Sequence, residues 1–212
     1  MQPAGTEPAY IPVRSGGWPT RRSPHWLFAV AAVLLVIAVT VGLAHHPSRG
    51  ERAADLRGLV QTLRTDIQSC SGGVGESLTV LRSIDNGTSR DLTTALSIAD
   101  TGAANCSPAN NELLDDLTAV QVPESLASYH LQVGVTALIN WAAPDAIQVQ
   151  SDVATVLTDR GKPGEAAAVA VLNLALRKLD AQRAVVYAAF APAIRALSPG
   201  LALPVLHGRP TR

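Results

Sequence analysis

Aromatic residues are scarce in this 212-residue chain, which has three Trp, three Tyr and two Phe. Its core must therefore be built mainly from aliphatic side chains. Lysine is rarer still, confined to Lys162 and Lys178, while arginine is plentiful. The formal net charge is zero, so the electrostatics give no reason to expect nucleic acid as a partner. Cysteine is limited to Cys70 and Cys106, without the CxxC spacing of a redox pair. There are five histidines. His25, His45 and His46 flank an apolar run, and adjacent side chains such as His45 and His46 converge poorly on one metal. His130 has no second histidine one turn away, and the Glu-x-x-His motif of di-metal carboxylate bundles is absent. Only His130 offers a base for a Ser or Cys nucleophile. The expectation is a chain with no metal, no cofactor and no catalytic residues.

What is present is an uncharged apolar stretch from Trp26 to Ala44, WLFAVAAVLLVIAVTVGLA. At about 1.5 Å rise per residue it covers roughly 28 Å, close to the ~30 Å hydrocarbon core of a bilayer. It reads as a transmembrane helix through residues 26–44, with the lipid bilayer as its partner. A cleaved signal peptide is the rival reading, since Gly42-Leu43-Ala44 places small residues at a cleavage site. The run exceeds a signal h-region and about 25 residues precede it, which favours an uncleaved anchor. Arg21-Arg22 echoes a twin-arginine export signal, but Pro24 and His25 stand where apolar residues are usual.

Orientation is not decided by arginine, because Arg14, Arg21 and Arg22 on one side match Arg49, Arg52 and Arg57 on the other. The cysteines break the tie. A lone pair after the anchor is most simply a disulfide in an oxidising compartment. Residues 1–25, carrying Pro3, Pro8, Pro12, Pro19 and Pro24 and no PxxP, form a disordered cytoplasmic tail in this reading. Residues 45–212 are expected on the outer side of a bacterial cell membrane. An Ala/Arg-rich, Lys-poor chain with this layout of tail, anchor and helical domain resembles the uncharacterised single-pass envelope proteins of high-GC actinobacteria. That resemblance covers layout alone and implies no activity.

The fold expected is all-α, an antiparallel bundle of about four to five helices over residues 51–197, stapled by one disulfide. Ala53, Leu56, Val60, Leu63, Ile67, Cys70, Val74, Leu78, Leu81 and Ile84 sit at three-four spacing and define one long helix to Asp85. Gly72-Gly73 weakens it at roughly 1 kcal/mol per glycine and is a place for a break. Asn86-Gly87 stops it; the sequon Asn86-Gly87-Thr88 is read as only a turn. Thr88 and Asp91 make a capping-box-like start for a second helix, striped by Leu92, Leu96, Ala99, Ala103 and Cys106. Reversal near Gly87 brings Cys70 and Cys106 within roughly 3–5 Å along the hairpin axis.

Ser107-Pro108 starts a short helix to about Val120. Val122-Pro123-Glu124 opens a long one to about Asp159, which Pro144 kinks or splits near Ala143. After the loop Gly161-Lys162-Pro163-Gly164, a last helix runs on Val169, Leu172, Leu176, Leu179, Val186 and Phe190. Pro192 and then Ser198-Pro199-Gly200 end it, leaving 198–212 as a flexible C-terminal tail.

Two polar features stand out. Arg183 occupies a seam position of the last helix and is a candidate buried charge for Asp145 or Asp152. The bland alternative lays its stem on the core edge with its head in water. Tyr129, His130, Asn140 and Trp141 form the densest aromatic-polar group. Tyr129 and Asn140 lie 11 residues apart, three helical turns, so they share a face and make the group a candidate partner or ligand surface; core packing with a polar rim is the plainer explanation. The leading functional expectation is a scaffold or accessory subunit acting through protein contacts, with a protein partner or a second copy of itself. Ala38-x-x-x-Gly42 is a small-xxx-small pattern by which anchors pair. The alternative is a bundle that binds a small ligand between helices near Pro144 and works with a separate signalling partner.

Overall fold

The computed structural model describes residues 47–107 and 112–208. The Trp26–Ala44 span, the tail before it, His25, His45, His46 and Pro108 lie outside the described residues. Among the described residues no helix is long and apolar enough to cross a membrane.

The described chain is all-α, with six helices and no strand: α1 Arg49–Asp85, α2 Leu92–Cys106, α3 Glu112–Ala119, α4 Gln132–Asn140, α5 Ile147–Thr158 and α6 Glu165–Leu197. A 3-10 turn, Glu124–Tyr129, leads into α4, and a wide turn, Trp141–Ala146, joins α4 to α5. α1 and α2 form a hairpin, α2 lies on α5, and both α4 and α5 lie on α6.

α1 begins with a reciprocal cap. The Ser48 hydroxyl accepts from the Glu51 amide at 3.2 Å, and the Ser48 amide donates to the Glu51 carboxylate at 2.6 Å, satisfying two of the orphan donors of the first turn. The helix runs unbroken through Gly72-Gly73. Its end is the expected Asn86-Gly87 turn, where Gly87 adopts φ +69°, a left-handed conformation that costs glycine little.

The cap of α2 differs from expectation. Asp91 itself accepts from the Thr94 amide at 3.0 Å and from the Thr94 hydroxyl at 2.6 Å. These bonds stabilise the carboxylate and hold its pKa below the ordinary value. Thr88 instead closes the end of α1, its amide and hydroxyl both donating to the Ser83 carbonyl.

The buried face of α2 is also turned from the expected stripe. It comprises Ala95, Ala99, Gly102 and Cys106, while Leu92 is exposed and Leu96 and Ala103 are half-buried. The reason is a close approach. A Cβ placed on Gly73 would lie 2.8 Å from the Gly102 Cα, and one on Gly102 would lie 2.8 Å from the Gly73 carbonyl oxygen. The two backbones therefore meet directly, with only small residues between them. Beside this crossing the disulfide joins Cys70 to Cys106, with Cα atoms 4.6 Å apart and both residues fully buried.

The predicted long helix from Glu124 to Asp159 is three pieces. His130 adopts φ +53°, a region that histidine visits more readily than most residues, and it separates the 3-10 turn from α4. The second break falls where Pro144 placed it. Ala143 is extended at φ −148°, ψ 112°, as expected before a proline, and the Ala143–Pro144 bond is cis. Pro192, by contrast, does not end α6, which continues to Leu197. Both Pro192 and Ala188 are exposed, so water can serve the carbonyl that the proline leaves without an amide.

The C-terminal stretch, expected to be flexible, packs as a strap along α1 and α6 through Gly208. Pro204 and Leu206 are buried. Ser71 Oγ donates to the Val205 carbonyl at 2.5 Å, Arg64 to the Ala202 carbonyl at 2.6 Å and Tyr187 to the Pro204 carbonyl at 3.1 Å. The extended strap has no ladder of its own, and these side chains satisfy its backbone.

Several buried polar groups are left unserved among the described residues. Gln150 on α5 is fully buried near Gly73, and neither polar atom of its side chain has a partner among the described residues. An unsatisfied buried amide costs roughly 1–3 kcal/mol. Gln150→Met keeps the volume and removes the polar atoms, so its urea midpoint should rise by the equivalent of about 1 kcal/mol. A fall would show that the amide is satisfied in solution.

Candidate functional site

A groove lies between α5 and α6, next to the break at Ala143-Pro144. On the α5 side stand Asp145, Gln148 and Asp152, spaced three and four, so that they share one helical face. On the α6 side Val171, Leu174, Ala175 and Lys178 form the opposite wall, and Pro144 closes one end. The groove encloses about 320 Å³, at the small end of the roughly 300–1,000 Å³ typical of ligand sites.

Its electrostatics are uneven. Burial raises the pKa of the Asp145 carboxyl, and the Lys178 ammonium opposes that shift. Asp152 is only 7% exposed. Its Oδ1 accepts from Gln148 Nε2 at 2.8 Å, but its Oδ2 is shielded and has no donor among the described residues. A buried carboxylate with half its acceptor capacity unused is costly unless something supplies donors. The arrangement is therefore an acidic, partly desolvated pocket beside a hydrocarbon wall. It is suited to holding a small molecule, and no nucleophile with a neighbouring base is found in its lining.

The residues singled out from the sequence do not assemble into one site. Trp141 is fully buried in the core, and its indole N–H has no acceptor among the described residues. Tyr129 is half-buried on the 3-10 turn, packed against the core edge. His130 is exposed at the left-handed turn. Asn140 is exposed and lines a different, shallower groove of about 380 Å³ with Gln132, Val133, Thr136, Gln182 and Val185. The shared face of Tyr129 and Asn140 required one continuous helix, and His130 interrupts it.

Arg183 is half-buried and pairs with Asp180 at 3.0 Å on its own helix rather than with Asp145 or Asp152. It also reaches the strap, donating to the Leu206 carbonyl at 3.5 Å. Its place in the seam is real, but the strap supplies the cover that the expected carboxylates do not. Asp145 and Asp152, weighed from sequence only as partners for Arg183, turn out to be the polar wall of the groove. Pro144 was the available signal, since a proline inside an amphipathic helix marks a kink or break in it. Among the described residues no three His, Cys, Asp or Glu side chains are grouped as metal ligands. No known protein family, curated protein or solved structure matches this chain.

Proposed function

We propose that this chain is a membrane-tethered, extracytoplasmic binding domain that holds a small molecule in the α5–α6 groove. The observation that carries the reading is Asp152. A nine-tenths-buried carboxylate with an unserved oxygen lies along a groove that also offers an apolar wall. The tether is the apolar run from Trp26 to Ala44. The Cys70–Cys106 bond supports an oxidising location, because such bonds persist outside the reducing cytosol.

The test is a thermal-shift screen of the full chain in lipid nanodiscs against small amphipathic compounds, in parallel with Val171→Trp. Val171 is half-exposed on the groove wall, so a bulky indole there blocks the groove without entering the core. At least one compound class should stabilise the chain saturably, and the blocked variant should lose that response. A screen in which nothing stabilises the parent chain, or in which the blocked variant responds equally, overturns the reading.

A second reading rests on the apolar side chains left in water around α4 and α6. Val133 is 59% exposed, Val171 53%, Leu174 52% and Val185 40%. Exposed apolar surface of this kind marks contact sites when it is contiguous. A scaffold or accessory role through a protein partner, or a homodimer, would use it. A mass that rises with concentration and falls on Val133→Ser/Val185→Ser would favour that reading.

A further inference from the structure

We infer that the ligand of the α5–α6 groove is a small organic cation, an ammonium carried on an apolar body. This rests on the reading of the groove as a ligand site, and it follows from the charges and donors the groove already holds. Its wall carries two carboxylates, Asp145 and Asp152, against one ammonium, Lys178. Among the described residues no Lys, Arg or His pairs with Asp152 within ion-pair distance, while Lys178 lowers the cost of charge on Asp145. An anion would meet uncompensated negative charge in a partly desolvated setting, where repulsion is strongest.

The hydrogen-bond inventory points the same way. Asp152, if ionised, only accepts, and its single described donor is the Gln148 amide on Oδ1. An alkylammonium brings three donors and a full positive charge, whereas a hydroxyl brings one donor and no charge. Gln148 is exposed while Asp152 is buried, so Gln148 is the group free to move. The incoming ammonium takes the place of the Gln148 amide against the carboxylate, and the hydrocarbon part lies on Val171, Leu174 and Pro144. A bare metal ion fits less well. It would leave that apolar wall uncovered, and no third carboxylate or histidine joins the pair among the described residues.

The experiment uses three probes that share a tail and differ in head charge: n-butylammonium, 1-butanol and butyrate. Each is titrated into the full chain in phosphatidylglycerol nanodiscs, with methyl NMR shifts of Val171 and Leu174 as the readout. Butylammonium should give saturable shifts at an affinity at least about tenfold above those of butanol and butyrate. Asp152→Asn should erase that preference, and Gln148→Ala should preserve it. Addition of phosphatidylethanolamine identifies the source: competition points to a lipid headgroup, and no competition to a free amine. Equal or tighter binding of butanol or butyrate overturns the cation inference while leaving the ligand site standing. Failure of all three probes to shift either methyl removes the site itself.

Discussion

Without the Cys70–Cys106 bond, the helical domain should lose about 4 kcal/mol of stability, which is the loop-entropy value for a closed loop of this length. The two residues lie 36 apart in sequence, and the bond removes that loop's freedom from the unfolded chain. Beside the bond, α2 is held by its packing on α1 and α5, which runs through small side chains. Its buried face is Ala95, Ala99, Gly102 and Cys106, side chains that bury little area each. At roughly 25 cal/mol per Å², such a face contributes far less than the leucine-rich face of α1. The check is urea unfolding of the full chain with Cys70→Ala/Cys106→Ala. With a slope of roughly 1–3 kcal/mol per molar urea, the midpoint should fall by about 2 M. A fall below about 0.5 M would mean that packing alone holds the hairpin, with the bond added to an already stable crossing.

Much of this hairpin was legible in the sequence. The seam of α1, its end at Asp85, the turn at Gly87 and the pairing of the cysteines all followed from spacing. These features depend on periodicity and turn chemistry, which are local. The close approach of Gly73 to Gly102 was not legible. A glycine within a helix reads as a propensity defect, and nothing in one chain segment shows that another glycine will face it. The same limit applied at His130, where a left-handed residue breaks a helix without proline or glycine to announce it. It applied again at the strap, whose Pro204 and Gly208 read as fraying because the donors that fix it, Ser71, Arg64 and Tyr187, come from helices far away in sequence. The candidate groove was half legible. Pro144 marked the position between helices, but the carboxylates that give the groove its chemistry were assigned to Arg183, since the strap that engages Arg183 could not be foreseen.

Gly72 and Gly73 are neighbours in one helix, yet alanine at the two positions should have effects of opposite sign. At Gly72 an added Cβ meets nothing within 4 Å. Alanine there simply removes the backbone freedom of the unfolded state, and stability should rise by roughly 0.5–1 kcal/mol. At Gly73 the same methyl lies 2.8 Å from the Gly102 Cα and 2.9 Å from the Gly102 carbonyl oxygen. Those are backbone atoms of α2, so no side-chain rotation can make room and the helices must part. Parting is resisted by the disulfide one turn away, which ties Cys70 to Cys106. Overpacking of this kind typically costs 1–3 kcal/mol, so after the propensity gain the net loss at Gly73 should be about 1 kcal/mol. Breaking the disulfide should lessen that loss, because α2 can then move away from the new methyl. A double-mutant cycle of Gly73→Ala with Cys70→Ala/Cys106→Ala, read by urea unfolding, measures that coupling. Strict additivity would show that the glycine contact and the bond hold the crossing independently. A gain at Gly73 equal to that at Gly72 would show that the helices lie further apart in solution than the contact requires.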